Sequence, residues 1–410
     1  MNHIPYILAI DHGTSGIKAA IVSVNGEIVD DAFEKTPITF LPGGGAEQDP
    51  EDWWRALVAA ATRLVGRNPD CRKAIICVAV SSTFSTTVAV DRKGRPLLKA
   101  LTWMDSRGAA EVRKLVSGFP GINGYSLATL AKWVPKTGGA PTLSGKDDIA
   151  HVLFVKNTLP AIYADTYMFL PSKDYLNLRL TGEFASSYDA MQLFWATDIR
   201  DVDRIAYDKK LIRAMGIDAE KLPPMMAATD ILGTLKKDVA EQIGLSPKVR
   251  VISCSPDHQT ACVGSGAVSD FSAHLYVGTS SWIQTVVPFK KTDLLHSIAS
   301  FPTAIPGKYQ SVNEQDLAGG CLAHLFEKLL FYENALYARD QKQDPYALLD
   351  AIAGAVPPGS DKLIYLPWLN GERTPVDDIT LRGGFFNMGK THTQDHMIRS
   401  VLEGVALNTR

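Results

Sequence analysis

Two stretches, far apart in the chain, carry the same pattern of chemically useful residues. One is Asp11-His12-Gly13-Thr14-Ser15-Gly16, set between the apolar runs Leu8-Ala9-Ile10 and Ile17 to Val22. The other is Gly278-Thr279-Ser280-Ser281, between His274 to Val277 and Trp282 to Val287. Each reads as an apolar strand, a Gly-Thr-Ser turn and a second apolar strand. Such a turn can aim several backbone N–H groups and hydroxyls at one point, which makes a nest for an anion. A single turn of this kind is an ordinary feature of hairpins. Two of them, in the two halves of one chain, suggest a polyphosphate held between two domains.

Acidic residues accompany both nests. Asp11 precedes the first turn directly. Asp257 follows Pro256 at a strand-to-helix junction, where an aspartate also serves as a helix N-cap. The two readings are compatible, because a helix N-terminus attracts phosphate as well. Lys18, four residues past the first turn, reads equally as a phosphate contact or as a surface charge at a strand end. His12 and His258 neighbour these acids without metal-ligand spacing and read as supporting groups.

The elements that must position these residues are legible from pattern. Tyr6 to Ile10, Ile17 to Val24 and Glu27 to Asp30 read as strands, with the Asn25-Gly26 hairpin signal between the last two. Asp49-Pro50 opens a helix to about Leu64, with Trp53, Leu57, Ala60, Ala61 and Leu64 on one face. Strands follow over 74–80, 86–90 and 100–103, and Ser106 begins a helix to Leu115. Residues 125–245 read as mostly helical, with helices at 147–157, 172–180 and 187–195. Strand character returns at 249–254 and helix at Asp257. Further helices are expected over 316–331, 345–355 and 392–410, with a strand at 362–366. This mixture places the chain in the α/β class, and the domain boundary is expected near residue 248, giving domains 1–248 and 249–410.

Composition excludes several functions. The 410 residues exceed what one core usually supports. A net charge of −2 with scattered Lys and Arg argues against nucleic acid or a membrane surface as partner. The five cysteines have neither metal-site nor redox spacing and read as thiols of a reducing cytosol. No apolar run spans a bilayer. The expected location is cytoplasmic, and a homodimer is left open.

Taken together, these residues resemble the FGGY family of carbohydrate kinases, within the actin, Hsp70 and hexokinase superfamily. Asp11-x-Gly13-Thr14-x-x-x-Lys18 resembles the family's first phosphate loop, and Gly278-Thr279-Ser280-Ser281 its second. Trp103-Met104-Asp105-Ser106-Arg107 is similar to its sugar-contacting segment. Glu47 to Trp54, Lys173-Asp174-Tyr175-Leu176 with Arg179 to Gly182, Asn370 to Pro375 and Leu402 to Ala406 match further blocks. The order and spacing of the blocks hold from residue 7 to 410.

The resemblance implies two ribonuclease-H-like (actin-like ATPase) domains with an interdomain cleft. It implies transfer of a phosphoryl group from ATP, with Mg²⁺, to a sugar or polyol hydroxyl. Asp257 becomes the general base, Asp11 and Asp257 the Mg²⁺ side, and Gly13, Thr14, Lys18, Gly278, Thr279 and Ser280 the phosphate contacts. Trp103, Asp105, Arg107 and Asp257 would face the sugar. From the residues alone, Trp103 reads as core and Asp105 as a cap for the helix at Ser106, while Glu47 and Gln48 receive no role.

Glycerol kinases carry an Arg-Glu pair, and xylulokinases a Met-His pair, where this chain has Phe84-Ser85. The Lys173-Asp174 and Asn370 to Pro375 blocks are most similar to the xylulokinase-like branch, so a ketopentose such as D-xylulose is the expected substrate. Family members continue past the Leu402 to Ala406 block with a Gly-rich adenosine loop, so the second domain is expected to be truncated and the adenosine site incomplete. The alternative functions are a catalytically weak sugar or nucleotide sensor and an actin- or Hsp70-like ATPase without a sugar.

Overall fold

The computed structural model describes residues 4–278, 280–293, 296, 298–315, 317–330, 345–372, 374, 378 and 380–410. The chain forms two compact units. The first comprises Met1–Val268, Pro288–Lys290 and Ser300–Tyr309, and the second Ser269–Val287, Lys291–Ala299 and Gln310–Arg410.

The first unit is built on a six-stranded sheet. Its strands are β1 (Tyr6–Gly13), β2 (Gly16–Ser23), β3 (Ile28–Lys35), β4 (Ile75–Ser82), β5 (Ile231–Thr234) and β6 (Arg250–Ile252), in the order β5-β6-β4-β1-β2-β3. The opening meander read from sequence is present: β1, β2 and β3 pair antiparallel, and β4 joins β1 in parallel. Helix α1 (Pro50–Arg67) starts on Asp49, whose carboxylate accepts from the Glu51 N–H. Its Trp53, Leu57, Ala60, Ala61 and Leu64 are buried in one core with Leu8, Ile10, Ile17, Ile21, Val78 and Val80. A five-stranded sheet of short strands, ordered Met168–Pro171, Thr87–Val90, Ala100–Leu101, Gly45–Gln48 and Thr39–Leu41, completes the scaffold. Met168–Pro171 runs directly into α2 (Ser172–Thr181), and β6 leads through four residues into α3 (Asp257–Gly264).

Residues 249–268, placed in the second domain on sequence grounds, lie in the first unit. The reason is pairing: β6 is only three residues long and gains its hydrogen bonds from β4 and β5, with Val251 fully buried among them. The helix expected over 187–195 is absent. Ser186–Ser187 instead pairs with Met225–Met226, and a short 3₁₀ turn at Gln192–Phe194 ends on Trp195 in the left-handed region. Trp195 is held there because its indole N–H donates to Asp147. The helix expected from Ser106 begins at Ala109, because the Asp105 carboxylate bonds the Arg107 N–H and holds residues 105–107 in a turn.

In the second unit, β7 (Ala273–Val277) and β8 (Ser281–Val287) form an antiparallel hairpin. Helices Gly319–His324 and Pro345–Ala355 and α4 (Gln394–Thr409) enclose a core of Cys321, Leu325, Leu349, Tyr365, Ile398 and Val401. Both ends of the helix expected over 316–331 lie outside the described residues. Among the described residues, no helix is long and apolar enough to cross a membrane.

The β1–β2 turn shows which of its glycines the fold requires. A Cβ on Gly16 would sit 2.2 Å from the Glu34 carbonyl oxygen of the neighbouring strand, whereas one on Gly13 would meet only the Gly16 oxygen at 3.6 Å. Gly16→Ala should therefore destabilise the protein by about 1–3 kcal/mol, since backbone must move. Gly13→Ala should stay within about 0.5 kcal/mol. Urea unfolding of the two variants checks the contrast, and equal losses would contradict it.

Candidate active site

Period-two alternation along β1 separates a core histidine from a site carboxylate. Leu8, Ile10 and His12 face α1 and are buried. His12 packs on the Trp53 ring at 4.3 Å between centroids, and burial lowers its pKa to about 3. It is a neutral core residue. Asp11 faces the opposite side. The two-residue turn sets the register Asp11↔Lys18, and the ammonium stands 3.9 Å from the carboxylate. Both side chains remain open, 42% for Asp11 and 69% for Lys18, so the pair adds little stability and leaves both groups available. Burial raises the Asp11 pKa, with Lys18 opposing. A cavity of about 590 Å³ lies on this face, lined in part by Asp11, Lys18, Asp31, Phe33, Ser81 and Thr260.

The turn between β1 and β2 is tethered from three directions. Trp103 donates its indole N–H to the Thr14 hydroxyl at 2.9 Å. Gln48 donates to the Thr14 carbonyl at 2.9 Å and to Pro37 O at 3.2 Å. The Thr36 N–H donates to the Ser15 carbonyl at 3.1 Å. Gln48 thus has a clear task that sequence reading did not find. The available signal was an amide side chain at the inward position of a short strand whose neighbour Ala46 is also inward.

In the Trp103–Arg107 segment, Asp105 is fully buried with both oxygens engaged. It accepts from the Ala46 N–H at 3.0 Å, the Arg107 N–H at 3.0 Å and the Arg107 guanidinium at 2.6 Å. Arg107 also binds Glu47 at 2.7 Å and lies over the Phe154 ring. Asp105 therefore serves Arg107 and the 44–47 loop. Its carboxylate is fully buried and turned toward these partners, where the family resemblance implies a sugar contact.

Asp257 is the first residue of α3. Its carboxylate accepts from the His258 N–H at 2.8 Å and from the Phe84 N–H. Its pKa is raised to about 7, first by burial and then by the negative charge of Asp11, while the two N–H groups act in the opposite sense. The side chain still keeps 36% of its surface accessible, so the carboxylate is crowded yet reachable. Phe84 packs on His258 at 4.3 Å and edge-on to Phe301 at 6.1 Å, forming an aromatic wall beside it. The first unit thus gathers Asp11 and Asp257. Among the described residues, no group of three or more His, Cys, Asp and Glu could hold a metal ion. Two carboxylates suit a cation that keeps most of its water, as Mg²⁺ does.

In the second unit, the Gly278 N–H bonds the Ser280 carbonyl at 2.8 Å, and the Gly278 carbonyl accepts from Gly319 at 2.8 Å. A Cβ on Gly278 would stand 2.5 Å from the Tyr276 hydroxyl oxygen, so that ring would have to shift. Thr279 lies outside the described residues.

Comparison with known proteins decides the family. Residues 6–264 match the N-terminal domain of the FGGY family of carbohydrate kinases, and residues 273–410 its C-terminal domain. The chain belongs to the FGGY family. It is 27% identical to a gluconokinase of Bacillus subtilis over 403 residues, covering 98% of this chain and 75% of that protein. It is also 27% identical to a Bacillus subtilis xylulose kinase, covering 98% of this chain and 76% of that protein. A crystal structure of ligand-bound xylulose kinase from Lactobacillus acidophilus matches with a TM-score of 0.84 at 24% identity, over 99% of this chain and 77% of that one. That likeness establishes the two-domain α/β FGGY kinase fold. The C-terminal match runs to residue 410, and the chain spans about three quarters of the length of these relatives. This FGGY chain is a carbohydrate kinase.

The elevated pKa of Asp257 has a measurable effect on stability. The folded protein holds a proton on Asp257 up to about pH 7, while an unfolded aspartate releases it near pH 4. Its ionised form thus opposes folding above pH 7, and that opposition fades as pH falls toward about 4. Asp257→Asn should raise Tm at pH 8 and leave it unchanged near pH 4. Thermal melts across that range, without Mg²⁺ or nucleotide, check this, and a pH-independent difference would contradict it.

Proposed function

We propose that this FGGY kinase phosphorylates a neutral sugar, most consistently a ketopentose such as D-xylulose, using ATP and Mg²⁺. The observation that carries the reaction is the pair Asp11 and Asp257, with Asp257 reachable and its pKa raised to about 7. A carboxylate poised near the working pH suits a general base. Asp257 takes the proton from the attacking hydroxyl, and the His258 and Phe84 N–H groups hold its carboxylate in place.

Asp11 and Asp257 would hold Mg²⁺ through water, and the ion supplies charge neutralisation for the phosphoryl group when bound. The backbone of Gly13 and the Thr14 turn, fixed by Trp103, Gln48 and Thr36, offers N–H groups to phosphate. Lys18 adds a mobile positive charge. Gly278, Thr279 and Ser280 are the second phosphate segment that the family resemblance implies. Trp103 contributes its ring face to the sugar side while its N–H serves the phosphate turn.

A neutral substrate is preferred for an electrostatic reason. Arg107, the cation of the sugar segment, is already neutralised by Asp105 and Glu47. Recognition of an aldonate such as gluconate would need a cation with capacity to spare. Phe84, packed on His258, favours an apolar C–H face over a charged group.

ADP formation measured across D-xylulose, D-gluconate, glycerol and no sugar tests the reading. D-xylulose should give the highest kcat/KM, and Asp257→Asn should lower kcat by roughly 10²–10⁴-fold with the sugar KM little changed. A preference for gluconate would overturn the neutral-sugar assignment. A well-folded Asp257→Asn protein with most of its rate would remove Asp257 as the base.

A further inference from the structure

We propose that Lys173, together with Asp174 and Asn177, is a positioning group for the kinase reaction, clamping the turn from which Asp257 is presented. The proposal rests on the assignment of Asp257 as the base.

Lys173 is the second residue of α2 and its side chain is fully buried. Both facts oppose it. A cation in the first turn of a helix meets the positive end of the helix dipole, and burial removes its hydration. Its partners explain what it gains. Its ammonium donates to Asp174 Oδ1 at 2.6 Å and to the Ser253 carbonyl at 3.2 Å. Asp174 Oδ2 accepts from the Ser186 hydroxyl at 2.5 Å. One turn along the same helix face, Asn177 donates to the same Ser253 carbonyl at 3.0 Å. Two buried donors from one helix thus converge on one carbonyl oxygen. Stability alone does not call for this, because a buried ion pair can usually be replaced by apolar residues without loss.

The gripped carbonyl starts the segment that delivers Asp257. Ser253 and Cys254 donate their N–H groups to Asp230 O at 3.0 Å and Ala228 O at 2.8 Å. Cys254 adopts a left-handed φ of 61°, an unfavourable state for a residue with a side chain. Pro256 then fixes φ at −59°, and Asp257 follows. The direction of the Ser253 carbonyl therefore sets where the Asp257 carboxylate stands.

The same helix start grips a second segment. The Lys173 N–H and the Ser172 hydroxyl both bond the Ser82 hydroxyl, at 3.1 and 2.9 Å. Two residues after Ser82 comes Phe84, whose N–H holds the Asp257 carboxylate. The first turn of α2 thus fixes both the turn that carries the base and the strand end that orients it. None of these α2 residues contacts the Asp257 side chain through a described hydrogen bond, so their action is through position.

The test uses the full chain with Lys173→Met and Asp174→Asn combined, which removes both charges and leaves neither unpaired. Sugar-dependent kinetics and amide hydrogen exchange are read together. The expected result is a folded protein whose kcat falls about 10–100-fold while the KM values for sugar and ATP stay within about threefold. Exchange should rise in the segment 253–260, with β1 and β2 still protected. A folded double variant with kcat within about twofold of the unaltered chain, or with unchanged exchange at 253–260, would overturn the proposal. If that variant does not fold, Asn177→Leu carries the test. It should lower kcat about threefold to tenfold and raise exchange in the same segment, and no change in either would overturn the proposal. Absence of any sugar-dependent ADP formation by the unaltered chain would refute the kinase reading itself, while the exchange comparison still decides whether the clamp holds the turn.

Discussion

The pinning of β1 in the middle of a sheet is the constraint from which the site follows. β1 is bonded along its length by β2 on one side and β4 on the other. It cannot slip by one residue without turning Leu8, Ile10 and His12 out of the core and Asp11 into it. The apolar face against α1 therefore fixes the direction of the carboxylate as firmly as any contact made by the carboxylate itself. The two-residue turn then places Lys18 opposite Asp11 with no further adjustment. A buried, neutral imidazole beside an open, ionisable acid is the direct consequence of a two-residue repeat. A metal-binding reading of His12 fails for the same reason, since its ring belongs to the Trp53 side.

The site's parts are linked through hydrogen bonds that serve two purposes at once. Trp103 presents a flat apolar ring, but its one polar atom is committed to Thr14. Gln48 joins the same turn to the strand that also supplies Glu47 to Arg107. Part-buried donors of this kind are costly to leave unmade, so the β1–β2 turn and the Trp103–Arg107 segment hold each other in place. Asp105 shows the same logic. It is buried because its negative charge is matched by Arg107 and by backbone N–H groups, and its value to the site is the geometry it imposes on its neighbours.

Much of this was legible in the chain. The opening meander, the Asp49-Pro50 helix start and the strand-to-helix junction at Asp257 all rest on local rules of turn and cap chemistry. What the sequence did not disclose depended on long-range partners. The three residues of β6 carry no signal for the sheet they join, so the boundary near residue 248 fell on the wrong side of that strand. The segment 187–195 is apolar enough for a helix, yet Asp147 draws the Trp195 indole into a left-handed turn that no local propensity would choose. Gly16 carries no local signal that sets it apart from Gly13. Its necessity comes from the Glu34 carbonyl, eighteen residues away on β3. Lys173-Asp174 was visible as a block, but its task depends on where Ser253 arrives.

Burial of charge provides a further reading of the first unit. Asp11 and Asp257 are both shifted upward by burial, and Asp257 also by the charge of Asp11. In the protein alone, this arrangement favours a proton on one of the two carboxylates at neutral pH. A divalent cation between them would reverse that preference, because its charge would stabilise both ionised forms. On the proposal that Asp257 is the base, such an arrangement would make its ionisation depend on the arrival of the cation. The nearby N–H groups of His258 and Phe84 fix the carboxylate without being able to accept its proton. On that proposal, the coupling runs through the charge of Asp11, the second cause of the raised Asp257 pKa after burial.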